Sequence, residues 1–300
     1  MLKRFKKIWC SFCKVIFSEK KWCWPRQSEV LIFDAIHQDG LNNYLKRWSP
    51  EVLHMRGEQY NMPVLLASFF KRGSRVDAYK DCFVKKVNPR LIVTLTDNNL
   101  DFYTISSRYP GIKTLFIQNG WRGYYLDVFV ELDKSLESFL GKLKVDYMLV
   151  FGSGIGKKYS QYIAGDTVSM GSLKNNMVRK EKSPRLGVIA FVSQWRQDLC
   201  SQGLNIGGTF CSSDTWLKPE TLVVQFLMQY AKIKNKRLMI IPCKKIPNDL
   251  HALEEDYYRE LMGREPEFLC PSGSYAGYQA VDSAEIVVTL DSTLGYESIV

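Results

Sequence analysis

The residues best placed to do chemistry lie where predicted strands run out into loops. Thr289-Leu290-Asp291-Ser292-Thr293-Leu294-Gly295-Tyr296-Glu297 follows an apolar run and sets a carboxylate beside two hydroxyls at the start of a predicted helix. A helix start carries free backbone N–H groups, and with Ser292 and Thr293 beside them it suits a phosphate. Asp291 or Ser292 would serve equally well as a plain helix cap. A second loop, Gln118-Asn119-Gly120-Trp121-Arg122-Gly123, follows a predicted strand at 114–118 and offers two carboxamides and a guanidinium. Its Asn-Gly step permits positive φ, so the backbone can turn sharply and leave Gln118, Asn119 and Arg122 at the sheet edge. In the third loop, Thr94-Leu95-Thr96-Asp97-Asn98-Asn99-Leu100-Asp101, Asp97 could act as a base or nucleophile, or could cap the next helix. The first predicted strand, Val30-Leu31-Ile32-Phe33, ends at Asp34 and is followed by His37, Gln38 and Asp39.

Other patterns carry less. Gly152-Ser153-Gly154-Ile155-Gly156-Lys157-Lys158 has neither the dinucleotide-loop nor the Walker A spacing and reads as a turn. Cys10-x-x-Cys13 has only Cys23 nearby, and His37, His54 and His251 show no ligand spacing, so a four-ligand zinc site is rejected. No Asp-x-Asp pair is present near the loops, and no metal is expected. Lys234–Arg237 and Lys244-Lys245 read as solvated charge.

The elements that must position these loops alternate. After Leu31 come predicted strands at 62–67, 91–96, 114–118 and 146–151, with helices at 41–48, 76–86, 98–108 and 134–142 between them. A second series runs through a strand at 186–192, a helix at 218–234, a strand at 237–241, a helix at 250–262 and a strand at 286–290. Alternating β and α predicts mostly parallel sheets covered on both faces, with ligands beyond the carboxyl ends of the strands. The polar stretch 174–184 reads as a linker. The expected domains are therefore a basic aromatic segment at 1–25, an N-terminal Rossmann-like lobe at 26–175 and a C-terminal Rossmann-like lobe at 185–300.

A chain of 300 residues, 46% hydrophobic and 24% charged, is long enough to bury two such cores. Its net charge of +10 favours an anionic partner. Residues 1–25 hold Lys3, Arg4, Lys6, Lys7, Lys14, Lys20 and Lys21 against Glu19 alone, interleaved with Phe5, Trp9, Phe12, Phe17, Trp22 and Trp24. Lysines break every apolar run, so neither a signal peptide nor a membrane-spanning helix is expected there. Read as a helix, Phe5, Ile8, Trp9, Phe12, Val15 and Ile16 form one face, as in a helix lying on an anionic membrane surface or packed on its own domain. The expected location is cytoplasmic and peripheral to the inner membrane face, with reduced thiols. The clustering of the basic residues in one aromatic-rich terminal segment, with no recognition motif, argues against a nucleic-acid partner.

Taken in order, Ile117-Gln118-Asn119-Gly120, Gly171-Ser172-Leu173-Lys174-Asn175-Asn176 and Asp291-Ser292-Thr293-Leu294-Gly295-Tyr296-Glu297 resemble the motifs of bacterial surface carbohydrate biosynthesis transferases of GT-B type. More distantly they are similar to the CDP-glycerol glycerophosphotransferases of teichoic-acid synthesis, over about residues 90–300. In that second family a Gln-x-Trp-His-Gly loop, a Gly-Ser-Pro-Arg-Asn-Asp segment and a late Asp-Tyr-Ser-Ser segment fill these places. Asn119 stands where that family has histidine, and Ile240-Ile241-Pro242-Cys243 lacks its His-Pro. The sequence also stops inside the helix after its last predicted strand, where GT-B lobes carry further elements, which fits a truncated or divergent member.

The resemblance implies a metal-independent glycosyltransferase that moves a sugar from a nucleotide-activated donor, its substrate rather than a cofactor, to a surface glycan or lipid-linked glycan. Asp291, Ser292, Thr293, Glu297, Ser172 and Asn175 would hold the donor, with Glu297 near the ribose. Gln118, Asn119 and Arg122 would orient the acceptor, and Asp97, Asp34 or His37 would act as base or nucleophile. The alternatives are a glycerol- or ribitol-phosphate transferase and a non-catalytic partner in glycan assembly.

Overall fold

The structure, a computed structural model, describes residues 17–36, 38–71, 74–123, 127–139, 143–178, 185–197, 203–206, 209–243, 249–269, 273 and 275–297. The chain divides into two compact units, Met1–Leu173 and Lys174–Val300. Each is a parallel α/β fold of Rossmann-like character.

The first unit contains strands β1 (Glu19–Lys21), β2 (Val30–Phe33), β3 (Glu51–Leu53), β4 (Gln59–Asn61), β5 (Leu91–Thr94), β6 (Lys113–Ile117), β7 (Lys144–Val150) and β8 (Ala164–Ser169). Six of them form one sheet in the order β3-β2-β5-β6-β7-β8, parallel throughout, while β1 pairs with β4 apart from it. All four residues of β2 are buried because helices cover both faces of a parallel sheet. Alternate side chains then serve two cores: Leu31, Phe33, Ile92 and Phe116 pack on one face, and Val30, Ile32, Val93 and Ile117 on the other. The helices are α1 (Gln38–Leu45), α2 (Met62–Phe69), α3 (Arg75–Val87), α4 (Leu100–Tyr103), α5 (Ile105–Arg108), α6 (Val128–Phe139) and α7 (Ser153–Tyr159).

Several expectations change here. The apolar run at 62–67 is a helix, not a strand: Asn61 caps it by accepting a hydrogen bond from Val64 N at 3.2 Å, and Pro63 sits in its first turn, where no N–H is needed. The glycine-rich stretch read as a turn opens α7 after Gly152. The edge strand β8 is exposed at every residue and so has no apolar run to announce it. Within the basic aromatic segment, Glu19–Lys21 is extended and paired with Gln59–Asn61, so the helix expected there does not reach these residues. The face from Phe5 to Ile16 lies outside the described residues.

Helix α8 (Leu173–Asn176) stands at the junction of the units. The second unit has β9 (Arg185–Val192), a hairpin of β10 (Leu204–Ile206) and β11 (Thr209–Cys211), α9 (Ser213–Ile233), β12 (Arg237–Ile241), α10 (Asp249–Met262), α11 (Ala276–Asp282), β13 (Ala284–Val288) and α12 (Thr293–Glu297). Its sheet is β12-β9-β13, all parallel. Val188, Ala190 and Val192 face one core while Ile189 and Phe191 face the other. Ser212 caps α9 through Thr215 N at 3.3 Å.

Candidate active-site loops

A parallel sheet gathers ligands where successive crossovers leave a strand in opposite directions, beyond the strands' carboxyl ends. In the first unit β3 and β5 flank β2, so the change of direction falls between β2 and β5, at the loops that begin with Asp34 and Leu95. The structure joins these loops directly: Thr96 Oγ1 donates to Asp34 Oδ2 at 3.3 Å. Arg56, after β3, adds Nε and Nη2 to the same oxygen, each at 3.1 Å. Asp34 is 1% exposed and left-handed at φ 78, a conformation that aspartate tolerates better than most residues. His37 lies outside the described residues.

Asp97 and the loop after β6 form a single knot. The Asp97 side chain is fully buried, and Arg122 grips it through Nε at 2.8 Å to Oδ2 and through Nη2 to Oδ1. Tyr159 OH donates to Oδ2 at 2.7 Å, and Asn119 N donates to Oδ1 at 3.3 Å. Tyr103 OH donates to the Asp97 backbone carbonyl. Burial alone would lower the Arg122 pKa, but the Asp97 carboxylate outweighs it and holds the guanidinium above its ordinary value. Burial likewise lifts the Tyr103 and Tyr159 hydroxyls well above theirs, the negative charge of Asp97 adding to the effect.

This placement alters what these residues are free to do. Asp97 has its oxygens occupied by fixed donors, so in this arrangement it organises the loop and is not an open base. Arg122 is 11% exposed and donates to Asn119 Oδ1 at 2.7 Å as well, which commits two expected acceptor contacts to the loop itself. Gln118 is 3% exposed and ties neighbouring loops: Nε2 donates to Gly120 O at 2.8 Å, and Oε1 accepts from Phe151 N at 2.9 Å. The loop is thus turned by side-chain hydrogen bonds, whereas left-handed backbone is found at Asp34 and Gly171. Asn98 and Trp121 are exposed in these loops.

In the second unit β12 and β13 flank β9, and the change of direction falls between β9 and β13. The loops there are Ser193–Gln197 and Thr289–Thr293. Asp291 is exposed and Ser292 half-buried. Ser292 N donates to Thr289 Oγ1 at 3.2 Å, and Gly295 N to Ser292 O at 3.0 Å, which shapes the turn into α12. Glu297 is 1% exposed and accepts Tyr278 OH at 2.5 Å, while its carbonyl accepts Asn175 Nδ2 at 3.0 Å. The structure therefore brings Asn175 and Glu297 together, at the far end of the helix from Ser292. Ser172 is buried in the first unit.

Gly295 is fixed by contact, since a Cβ there would lie 2.1 Å from Thr289 Cγ2. Gly295→Ala is expected to push Thr289 off the Ser292 amide and to lower stability by about 1–3 kcal/mol, measured by urea unfolding.

Sequence reading missed the support beneath these loops. Glu254, fully buried on α10, accepts Ser193 Oγ at 2.5 Å and Cys243 N at 2.8 Å through the same Oε1 atom. It thereby ties the loop after β9 to the loop after β12. Ser193 Oγ also receives Trp195 N at 3.1 Å. Beside it Glu220, 3% exposed, accepts Tyr258 OH at 2.6 Å, and burial raises its pKa above the ordinary carboxylate value. The missed signal was legible: Glu254 shares a helical stripe with Tyr258 and Met262, and Glu220 one with Val224, Leu227 and Ala231, all buried. Among the described residues no three His, Cys, Asp or Glu are grouped so as to hold a metal ion.

These features define the class, a two-unit Rossmann-like protein with loop clusters at the carboxyl ends of parallel strands. Residues 115–300, more than half of the chain, match a family described as "putative O-antigen biosynthesis protein". The chain belongs to that family, and its role lies in surface carbohydrate biosynthesis. No curated protein matches it.

Proposed function

We propose that the protein is a glycosyltransferase of O-antigen assembly, using a nucleotide-activated sugar and a glycan or lipid-linked glycan acceptor. The observation that carries this reading is the crossover reversal between β9 and β13, which sets the Thr289–Thr293 loop at the ligand edge of a sheet inside the family-matched region. Departure of the nucleotide builds negative charge on phosphate oxygens, which the hydroxyls of Ser292 and Thr293 would offset without a metal. The second unit would bind the donor, with Ser193 and Trp195 held in place by Glu254. The first unit would present the acceptor side, where Trp121 and Asn98 are accessible.

The proton acceptor in this reading is Asp34 or His37 in preference to Asp97. Asp34 is also buried and held by Thr96, but its arginine partner Arg56 is 52% exposed, whereas Arg122 is enclosed with Asp97.

Calorimetric titration with CMP-, CDP-, UDP- and GDP-activated sugars tests the proposal. One nucleotide class is expected to bind, and Ser292→Ala/Thr293→Ala is expected to weaken it by roughly a hundredfold or more, the effect of about two lost hydrogen bonds to a charged group. Binding of no nucleotide would sink the transferase reading and favour a non-catalytic assembly partner.

A further inference from the structure

The small substructure built from β1, β4 and α2 exposes more large apolar surface than its size explains. Phe17 is 85% exposed, Trp22 69%, Leu66 56%, Phe69 55% and Phe70 91%. Leu66 and Phe69 on α2 and Phe70, its C-terminal cap, stand at i, i+3 and i+4 and share one face, while Val64 and Ser68 are buried on the other. The segments are joined firmly. Lys21 pairs with Asn61 in the β1–β4 ladder, and Asn61 Nδ2 donates to Cys23 O at 2.8 Å while its Oδ1 caps α2. The chain around Trp22 is thus pinned to the start of the helix that carries Phe70.

The sequence of these segments is mostly basic. Residues 1–25 carry seven basic side chains and one acidic, and the stretch from Met62 to Val76 adds Lys71, Arg72 and Arg75 with no acid. Lys86 also lies over the Trp24 ring at 4.4 Å. A second copy would bring the same basic-rich sequence segments against each other, and protein interfaces are depleted of lysine at their cores. Aromatic side chains among lysines and arginines match the interface of an anionic bilayer, where rings sit at headgroup level and cations meet lipid charge. Among the described residues no helix is long and apolar enough to cross a membrane.

We propose that the exposed face of α2, whose start is pinned to the chain around Trp22, is a docking surface that inserts Leu66 and Phe70 shallowly into an anionic phospholipid bilayer. The proposal is independent of the donor-binding reading, since none of these residues lies in the loops described above.

The test is co-sedimentation of the full chain with phosphatidylcholine vesicles, with and without phosphatidylglycerol. Binding to the anionic vesicles is expected to exceed binding to neutral ones by about tenfold or more and to fall with salt. Leu66→Ser/Phe70→Ser is expected to reduce anionic-vesicle binding about tenfold at unchanged circular dichroism and unchanged nucleotide binding. Lys71→Glu, a surface change that keeps the helix, is expected to reduce it as well. Equal partitioning of wild type and variants, or equal affinity for neutral vesicles, would overturn the proposal. So would self-association in sedimentation velocity that the double variant abolishes, because the face would then be covered by a second copy.

Discussion

Arg122→Met is expected to destabilise the first unit by about 3–5 kcal/mol, because it strands the Asp97 carboxylate in a fully buried position. The remaining donors, Tyr159 OH and Asn119 N, cannot replace a bidentate cation. Asp127, 3.8 Å from Arg122, would lose its cation too, and burial already raises its pKa. Arg122→Lys restores the charge without the fork and is expected to recover part of the loss. Asp97→Asn on the Arg122→Met background removes the stranded charge, so the double variant should be more stable than Arg122→Met alone. Urea unfolding of the three variants checks this order; a loss below about 1 kcal/mol for Arg122→Met would show the pair to be worth no more than an exposed one.

Glu254→Ala is expected to act on the second unit with comparable force. It leaves Ser193 Oγ and Cys243 N without the acceptor they share, at about 1–3 kcal/mol for each buried group, and opens a cavity on α10. The consequence should extend to ligand binding. With the loops after β9 and β12 untied, nucleotide affinity is expected to fall by roughly tenfold even at temperatures where the variant stays folded. Glu254→Gln keeps one carbonyl acceptor and should lie between. Thermal unfolding and calorimetry on both variants separate the effects, and wild-type affinity in a folded Glu254→Ala protein would show that the tie serves stability alone.

The contrast between these two knots explains how much of the molecule could be read in advance. Fully buried strands such as Val30–Phe33 and Arg237–Ile241 advertise themselves as short apolar runs, and the loops after them follow from the rule about carboxyl ends. The run at Met62–Phe69 has the same composition, and only Asn61 and Pro63 distinguish its helix from a strand. Strand β8 lies at an edge with no buried residue, so hydrophobicity could not find it. Side-chain partners are harder still. Asp97 and Arg122 stand 25 residues apart and look like two independent functional groups until the fold closes them on each other. Two acids on apolar stripes, Glu220 and Glu254, were the more informative pattern, because a buried carboxylate must find donors.

The order β12-β9-β13 also governs when the sheet of the second unit can close. Its last strand inserts beside its first, with Ala284 paired to Arg185 across about a hundred residues of intervening chain. At ordinary rates of synthesis, about 5–20 residues per second, β9 waits roughly 5–20 seconds for that partner. Until then one long edge of β9 is open, and the Thr289–Thr293 loop does not yet exist. Closure must also meet the entropy of a long loop. Closure of the sheet beside β9 and formation of the Thr289–Thr293 loop therefore arrive together, late in synthesis.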